Sequence, residues 1–204
     1  MKIIKYEKKG NNKYRIHLED NNILDLYENV IVDNNLLYKK EIDVNLYKKL
    51  QEENLFEDAY QSALKYINVR LRSIKEIKDY LKRKNFDDIK ISKAIEQLED
   101  NNLLNDNVFA KAFVNDKLNF TSNGELKIKN ELKKLGVDSS VIEEILSNVD
   151  KDIIINKINK IIKKEIKSNK KYQGIMLKNK IYNHLINLGY YKSDILNELN
   201  NYDF

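Results

Sequence analysis

Three short stretches near the start of the chain alternate apolar and polar side chains. These stretches are residues 2–8, 13–19 and 23–27. In the second one Tyr14, Ile16 and Leu18 share one face, a period-two pattern that is typical of a β-strand. "KKGNN", with Gly10, and the polar "EDNN" predict the turns between them. We therefore predict a small antiparallel β element at the N-terminus. The following "DLYENVIVDNNLLY" fits either a strand or a short helix.

The hydrophobic period changes at Asp43, a residue type that favours helix N-caps. Beyond it, apolar side chains recur three or four positions apart to the end of the chain, as they do on one face of an α-helix. Short polar joints divide this region into helices of about 8–20 residues. Asp106 and Asp138 are placed to cap two of them. The pattern predicts a mainly α protein.

One stretch of the helical region occurs three times, as "DYLKRKNFDDIKISKAI", "NELKKLGVDSSVIEEIL" and "NHLINLGYYKSDILNEL". Each copy has a leucine, at Leu81, Leu132 and Leu185. Four places later stand Asn85, Gly136 and Gly189. A large apolar residue follows directly, at Phe86, Val137 and Tyr190. An isoleucine also stands four places before each leucine. A period near 50 residues indicates one supersecondary unit that recurs.

The middle position of this repeat is suited to ending a helix. Gly adopts positive φ without steric cost, and Asn is its common substitute. The apolar residue that follows makes the hydrophobic contact that accompanies such a stop. Each pair of helices is preceded by a third, at 59–69, 107–119 and 151–167. The repeat positions are therefore interpreted as core, and they define the fold.

We predict tandem three-helix, helix-turn-helix-like repeats in an elongated array. The predicted divisions are an N-terminal β-rich extension and linking helix at 1–58, and three-helix repeats at 59–106, 107–150 and 151–204.

Composition excludes several classes of site. The chain has no Cys, so it has neither disulfides nor thiolate zinc sites, and it has only two His. It contains no phosphate-binding glycine loop, no zinc-protease helix motif and no other catalytic constellation. The polar start is unlike a signal peptide, and no apolar run approaches the ~18 residues of a membrane span. We expect a cytoplasmic protein that is not an enzyme, with no cofactor, no metal and no membrane contact.

The net charge of +5 is concentrated in two places. Residues 151–204 hold 11 Lys or Arg against 5 Asp or Glu, and a shorter basic stretch lies between residues 65 and 84. The candidate basic contacts to a partner or to DNA form two groups. The first group, in the stretch between residues 65 and 84, is Arg70, Arg72, Lys75, Lys78 and Lys82. The second group, within residues 151–204, is Lys157, Lys160, Lys163, Lys164 and Lys167.

Each basic group has more than one interpretation. The first could meet phosphates or an acidic protein surface, or could be a solvated face whose cations favour a helix C-terminus. The second lies on an amphipathic helix opposite a stripe of isoleucines, which fits DNA, an acidic groove or a plain bundle helix. A membrane contact is disfavoured, because this helix has no Trp or Phe to seat in a bilayer.

Three stretches resemble the RecX family of RecA regulators. "RLRSIKEIKDYLKRKNF" is similar to the first-repeat signature of that family. "AIEQLEDNNLLNDNVFAKAFV" resembles its junction into the second repeat, and "GELKIKNELKKLGVDSSVIEEIL" resembles the core of the second repeat. The likeness is clear over 59–150 and weaker over 151–204. The chain departs at Asn85, where the family has Gly, and at Asn105, where the family has an acidic residue.

The resemblance implies a non-enzymatic, monomeric protein that binds RecA and RecA filaments on single-stranded DNA. It implies that the protein limits RecA ATPase, strand exchange and co-protease activity, and it leaves open a direct contact to nucleic acid. The alternative from the residues is an independent helix-turn-helix DNA-binding protein. The starts of the second helices, "DDIKIS", "DSSVIE" and "YKSDIL", lack the Arg, Asn or Gln that read base edges, which counts against that alternative.

Overall fold

A computed structural model describes residues 1–10 and 12–204. The chain divides into two units. The first comprises Met1–Leu71 and Glu76–Leu104, and the second comprises Arg72–Lys75 and Asn105–Phe204. The short segment Arg72–Lys75 therefore packs with the second unit although the chain on both sides of it belongs to the first.

The predicted N-terminal sheet is present in the first unit. Strands β1 (Ile3–Gly10), β2 (Lys13–Leu18) and β3 (Ile23–Tyr27) form an antiparallel sheet in the order β1-β2-β3. Ile16 pairs with Leu24 and Tyr14 pairs with Leu26, so the apolar side chains of β2 and β3 share a buried face. Asn11, which falls in the predicted first turn, lies outside the described residues.

The undecided stretch "DLYENVIVDNNLLY" contains both kinds of structure, because its first three residues end β3 and most of the others are helical. Helix α1 (Glu28–Asp33) follows the strand directly, and a single 3₁₀ turn (Leu36–Tyr38) comes after it. Val30, Ile31 and Leu36 are buried against the sheet, where they complete one core with Ile42 and Leu50. The sheet therefore has one face covered by helices and one facing solvent.

Helix α2 (Val44–Ile67) joins the sheet to the first helix triple. The Asp43 carboxylate caps its start by accepting the Leu46 amide at 2.7 Å, as predicted. The helix has 24 residues, longer than the predicted range, and it runs without a break through the division drawn at 58/59. Its second half packs against α4 (Asp88–Asp100), with α3 (Ile74–Arg83) between them in sequence. Ala59, Ala63 and Ala94 are fully buried, and such small side chains let helices approach closely.

The second unit contains two further helix triples. The first is α5 (Asp106–Phe120), α6 (Glu125–Lys134) and α7 (Ser139–Ser147), and the second is α8 (Lys151–Ser168), α9 (Gly174–Leu188) and α10 (Lys192–Leu199). Within each triple the helices pack on one another. The two triples share a continuous hydrophobic core that extends from Phe109 to Leu199. The predicted division at 150/151 therefore marks no gap in the core.

The repeated helix stop has the predicted geometry at all three positions. The φ angles of Asn85, Gly136 and Gly189 are +64°, +83° and +88°. In the third copy the Tyr190 amide donates to the Leu185 carbonyl at 3.2 Å. The Gly189 amide also donates to the Ile186 carbonyl at 2.9 Å. The same two main-chain bonds recur after α3 and α6, as expected of a Schellman-type stop. The leucine anchors of all three copies are fully buried.

One predicted helix cap is wrong and another is confirmed. Asp138 caps α7 by accepting the Ser140 amide at 2.7 Å. At α5, however, the cap is Asn105, whose side-chain oxygen accepts from the amides of Asn107 and Val108. Asp106 lies one position inside the helix, and its carboxylate accepts the Ile74 amide at 2.8 Å. Asn caps as well as Asp does, so Asn105 keeps the capping function at this junction.

Within the second unit, each glycine that ends a helix, Gly136 or Gly189, also lies in close contact with the first turn of another helix. A Cβ on Gly189 would lie 2.6 Å from Lys127, and a Cβ on Gly124 would lie 2.5 Å from Gly189. The Gly124 amide donates to the Leu188 carbonyl at 2.8 Å, so the end of α9 is bonded to the start of α6.

The end of α6 meets the segment Arg72–Lys75 in a similar way. The buried Ser73 hydroxyl donates to the Leu135 carbonyl at 2.7 Å. A Cβ on Gly136 would lie 2.7 Å from the Lys75 Cβ. At Gly136 and at Gly189, glycine is therefore needed for the close approach of the neighbouring helix as well as for positive φ. Asn85 is exposed and belongs to the other unit, so its side chain has room.

We expect Gly136→Val to lower the free energy of unfolding by about 1–2 kcal/mol through positive-φ strain, with a further loss from the contact with Lys75. Urea unfolding followed by circular dichroism measures this change. Gly136→Asn separates the two causes, because Asn tolerates this φ but still carries a Cβ. Asn85→Gly is the matched control and should shift the midpoint little. An unchanged midpoint for Gly136→Val would contradict the interpretation.

Candidate partner-binding surfaces

Two of the first group of basic residues are paired within the first unit. The Arg70 guanidinium lies 2.6 Å from the Glu76 carboxylate and also donates to the Leu71 carbonyl at 2.8 Å. The Lys82 ammonium lies 3.0 Å from the Asp88 carboxylate. These exposed pairs contribute little to stability, but they reduce the positive charge that the helix surface offers to a partner.

Two more of that group lie in the segment that packs with the second unit. The Lys75 ammonium donates to the Lys134 carbonyl at 2.8 Å, so this lysine binds the last turn of α6, where cations are favoured. Arg72 is partly buried. Lys78, in contrast, is exposed and makes no ion pair with a described residue. Arg70, Lys75 and Lys82 are therefore each engaged by a group of their own unit.

Lys157 corrects an expectation about α8. The sequence predicts it on a solvent-exposed face, but its side chain is partly buried and its ammonium donates to the Leu118 carbonyl at 2.8 Å. It thereby binds a carbonyl at the C-terminal end of α5. Burial lowers the pKa of Lys157, and the carboxylate of Glu125 acts in the opposite direction. The expectation that Lys157 lies on a solvent-exposed face is therefore wrong, because its ammonium group is bonded within the second unit.

The remaining four lysines of α8 form a continuous exposed row, which we call the α8 lysine stripe. Its members are Lys160, Lys163, Lys164 and Lys167. Spacings of three and four residues place them on one side of the helix, over about 10 Å of its axis. None makes an ion pair or hydrogen bond through its ammonium group with any residue in the described part of the chain.

The stripe is held by the buried side of the same helix. Ile154, Ile158 and Ile162 lie in the shared core, with exposed fractions of 3% or less. At the end of α8 the side-chain amide of Asn169 donates to the Glu165 carboxylate at 2.7 Å, and this bond stabilises the last turn. The helix therefore presents four unneutralised positive charges from a packed scaffold.

An apolar feature after α8 was missed by the sequence reasoning. Ile175 and Met176 in the first turn of α9 are 75% and 64% exposed. Just before them, Tyr172 has the Lys180 ammonium 4.3 Å from its ring centroid. The periodicity of α9 would have indicated this, because Ile175 and Met176 are out of phase with Leu177, which begins the buried face of the helix.

Among the described residues, none of the helices combines the length and the apolar content that a membrane-spanning segment needs.

Two family models match this chain, each on one helix triple. One is described as the first three-helix domain of RecX and matches residues 59–98, and the other is described as the second three-helix domain and matches residues 105–146. These ranges correspond to the second half of α2 through α4 and to α5 through α7. The matched triples define a regulatory protein built from RecX-type three-helix domains.

Relatives extend the match to most of the chain. Regulatory protein RecX of Finegoldia magna is 35% identical over 73% of this chain and 74% of its own length. Its counterpart in Clostridium beijerinckii is 34% identical over 93% of this chain and 90% of its own length. That of Clostridium botulinum strain Alaska E43 is 30% identical over 100% and 98%. The chain belongs to the RecX family.

Two solved structures share the fold. The crystal structure of RecX from Lactobacillus salivarius is 26% identical and superposes with a TM-score of 0.70 over 73% of this chain and 97% of that one. A crystal structure described as that of regulatory protein RecX is 20% identical, with a TM-score of 0.86 over 98% and 99% of the two chains. The second comparison extends the shared fold to almost the whole chain.

We expect Lys157→Met to lower the free energy of unfolding by about 1–2 kcal/mol, because it removes a charged hydrogen bond to a helix end. Lys160→Met, on the exposed side of the same helix, is the matched control and should stay within about 0.5 kcal/mol of the parent. Thermal and urea unfolding measure both variants. Equal stabilities would show that the Lys157 contact contributes nothing.

Proposed function

We propose that this protein binds RecA and RecA filaments on single-stranded DNA, and that it inhibits RecA ATPase, strand exchange and co-protease activity. Membership of the RecX family supports a regulatory function, and the repeat motifs resemble those of RecA regulators. The single observation that carries the binding site is the α8 lysine stripe, since its charges are exposed and have no partner among residues 1–10 and 12–204.

The α8 lysine stripe is suited to a surface of regularly spaced negative charge. Its ammonium groups meet phosphates or carboxylates as point charges, without the fixed geometry that Arg imposes. Its four charges act together over a short distance, so their attraction adds at low salt. The phosphates of DNA supply such a surface, and so would an acidic surface on RecA itself.

The first basic group has a smaller role in this proposal. Arg70, Lys75 and Lys82 already bind groups within the chain, so a partner would have to compete with those contacts. Lys78 is the member with an exposed charge and no such competitor in the described chain. We therefore assign the larger share of partner binding to α8, and a secondary contact to Lys78.

A variant with all four lysines of the α8 lysine stripe changed to Gln tests this assignment. We expect it to need at least tenfold more protein than the parent to inhibit RecA ATPase on single-stranded DNA. The inhibition that remains should depend less on salt between 0.05 and 0.3 M, because fewer ion pairs are formed. Gln favours helix almost as well as Lys, so the fold should persist.

The matched control changes four exposed lysines of the first unit to Gln. These are Lys5, Lys8, Lys39 and Lys40. The control alters net charge by the same amount and should inhibit like the parent. Equal losses in both variants would indicate a net-charge effect without a site on α8. A parent chain that leaves RecA ATPase unchanged but binds duplex DNA tightly would favour the independent DNA-binding function instead.

A further inference from the structure

The β3 edge of the N-terminal sheet is open. At the two ends of the β2–β3 pair, the Leu18 amide donates to the Asn22 carbonyl at 3.0 Å and the Glu28 amide donates to the Asn12 carbonyl at 2.8 Å. Along an antiparallel strand, bonding to a given neighbour alternates from residue to residue. The even-numbered residues of β3 therefore bond to β2, and the main-chain groups of the odd-numbered residues face the open side.

The odd-numbered residues are Ile23, Asp25 and Tyr27. The Tyr27 amide donates to the Asn54 side-chain oxygen of α2 at 2.9 Å, which confirms that these groups face away from β2. No group among residues 1–10 and 12–204 bonds to the main-chain N–H or C=O of Asp25 on that side. The first part of β1 differs, since the Ile3 amide on its edge donates to the Lys40 carbonyl.

The open edge lines a groove whose other wall is α2. The groove has a volume of about 480 Å³ and runs between β3 and an exposed row of α2. That row consists of Lys48, Gln51, Glu52 and Leu55, at spacings of three and four residues on one side of the helix. Ile23 and Leu55, which are 49% and 47% exposed, supply apolar surface at the mouth of the groove, beside the charged side chains of Lys48 and Glu52.

We propose that this groove takes up one extended peptide segment of a protein partner, as a strand added to the edge of β3. Strand addition obtains affinity from main-chain hydrogen bonds, and the exposed N–H and C=O of Asp25 supply one bonding pair. Alternate side chains of the segment would face α2, so we assign it polar residues that complement Lys48 and Glu52, with an apolar one against Leu55. The identification of this partner as RecA rests on the proposed function.

A second copy of the chain is a poor occupant. A β3–β3 pair centred on Asp25 would use the outward amide of Tyr27, but that amide is already bonded to the Asn54 side chain of α2. Two β3 strands paired about Asp25 would also place like charges opposite each other, which is unfavourable. The Arg15 guanidinium, bonded to the Asp25 carboxylate at 2.7 Å, holds the pKa of that carboxyl below its usual value and keeps it charged.

Hydrogen exchange of the unmodified chain is the first test. We expect the amides of β3 to exchange at least tenfold more slowly when the full chain is bound to RecA filaments on single-stranded DNA. The even-numbered amides are already bonded to β2, so the gain should be concentrated at Ile23 and Asp25. Unchanged exchange at β3 in a chain that binds the filament through the α8 lysine stripe would overturn the groove assignment and leave the proposed function standing.

Asp25→Pro is the sharper variant. Proline removes the outward N–H of residue 25 without removing a bond to β2, and edge strands tolerate it. Asp25→Ala is the matched control, since it loses the same contact with Arg15 but keeps the N–H. We expect Asp25→Pro to bind RecA filaments about tenfold more weakly than Asp25→Ala, with equal circular dichroism. Equal affinities of the two variants would overturn the proposal.

Two further outcomes also decide the question. If Asp25→Pro does not fold, the hydrogen-exchange result on the unmodified chain stands alone as the test. If β3 becomes protected with rising concentration of this chain in the absence of RecA, the occupant is a second copy and the proposal is wrong. A chain that does not bind RecA filaments at all overturns both this assignment and the proposed function.

Discussion

The structure depends on the stop that ends the second helix of each triple. A residue at positive φ reverses the chain, and two main-chain bonds tie it back to the last turn of the helix. This geometry places the next side chain, Val137 or Tyr190, in the core of the second unit, and Phe86 is partly buried at the same position of the first copy. Tyr190 is the most completely buried of these side chains, and burial raises its pKa to about 12. Its hydroxyl donates to the Ser122 carbonyl at 3.1 Å. The same turn leaves helix-end carbonyls free for the contacts that hold the second unit together.

Carbonyls left free at helix ends explain why some lysines are structural. A helix that ends inside a packed unit leaves acceptors that water cannot reach freely, and a cation at the C-terminus satisfies them favourably. Lys75 does this for α6 and Lys157 does it for α5. Other lysines, such as Lys82, are paired with carboxylates. The α8 lysine stripe has neither kind of partner among the described residues.

The sequence predicted the fold well because the fold follows from local rules. Positive φ at Gly136 and Gly189, the caps at Asp43 and Asp138 and the buried leucines each depend on a few neighbouring residues. The candidate site was predicted less well, because periodicity gives the side of a helix on which a residue lies but not what is packed beside it. Lys157 keeps the spacing of the stripe, yet the end of α5 lies within its reach. The open edge of β3 depends on strand order and on the position of α2, which alternation alone does not give.

The continuity of α2 means that the N-terminal sheet is not a detachable addition to the first triple. The helix extends for about 36 Å, with one half in the core of the sheet and the other against α4. A fragment that began at residue 59 would lose the cap at Asp43 and more than half of this helix. Exchange of the β element between relatives would therefore have to preserve the helical phase between Leu50 and Ala59, so that each half keeps its own buried side. Insertion or deletion of a single residue in that interval would turn one half by about 100° relative to the other and unseat one of the two cores.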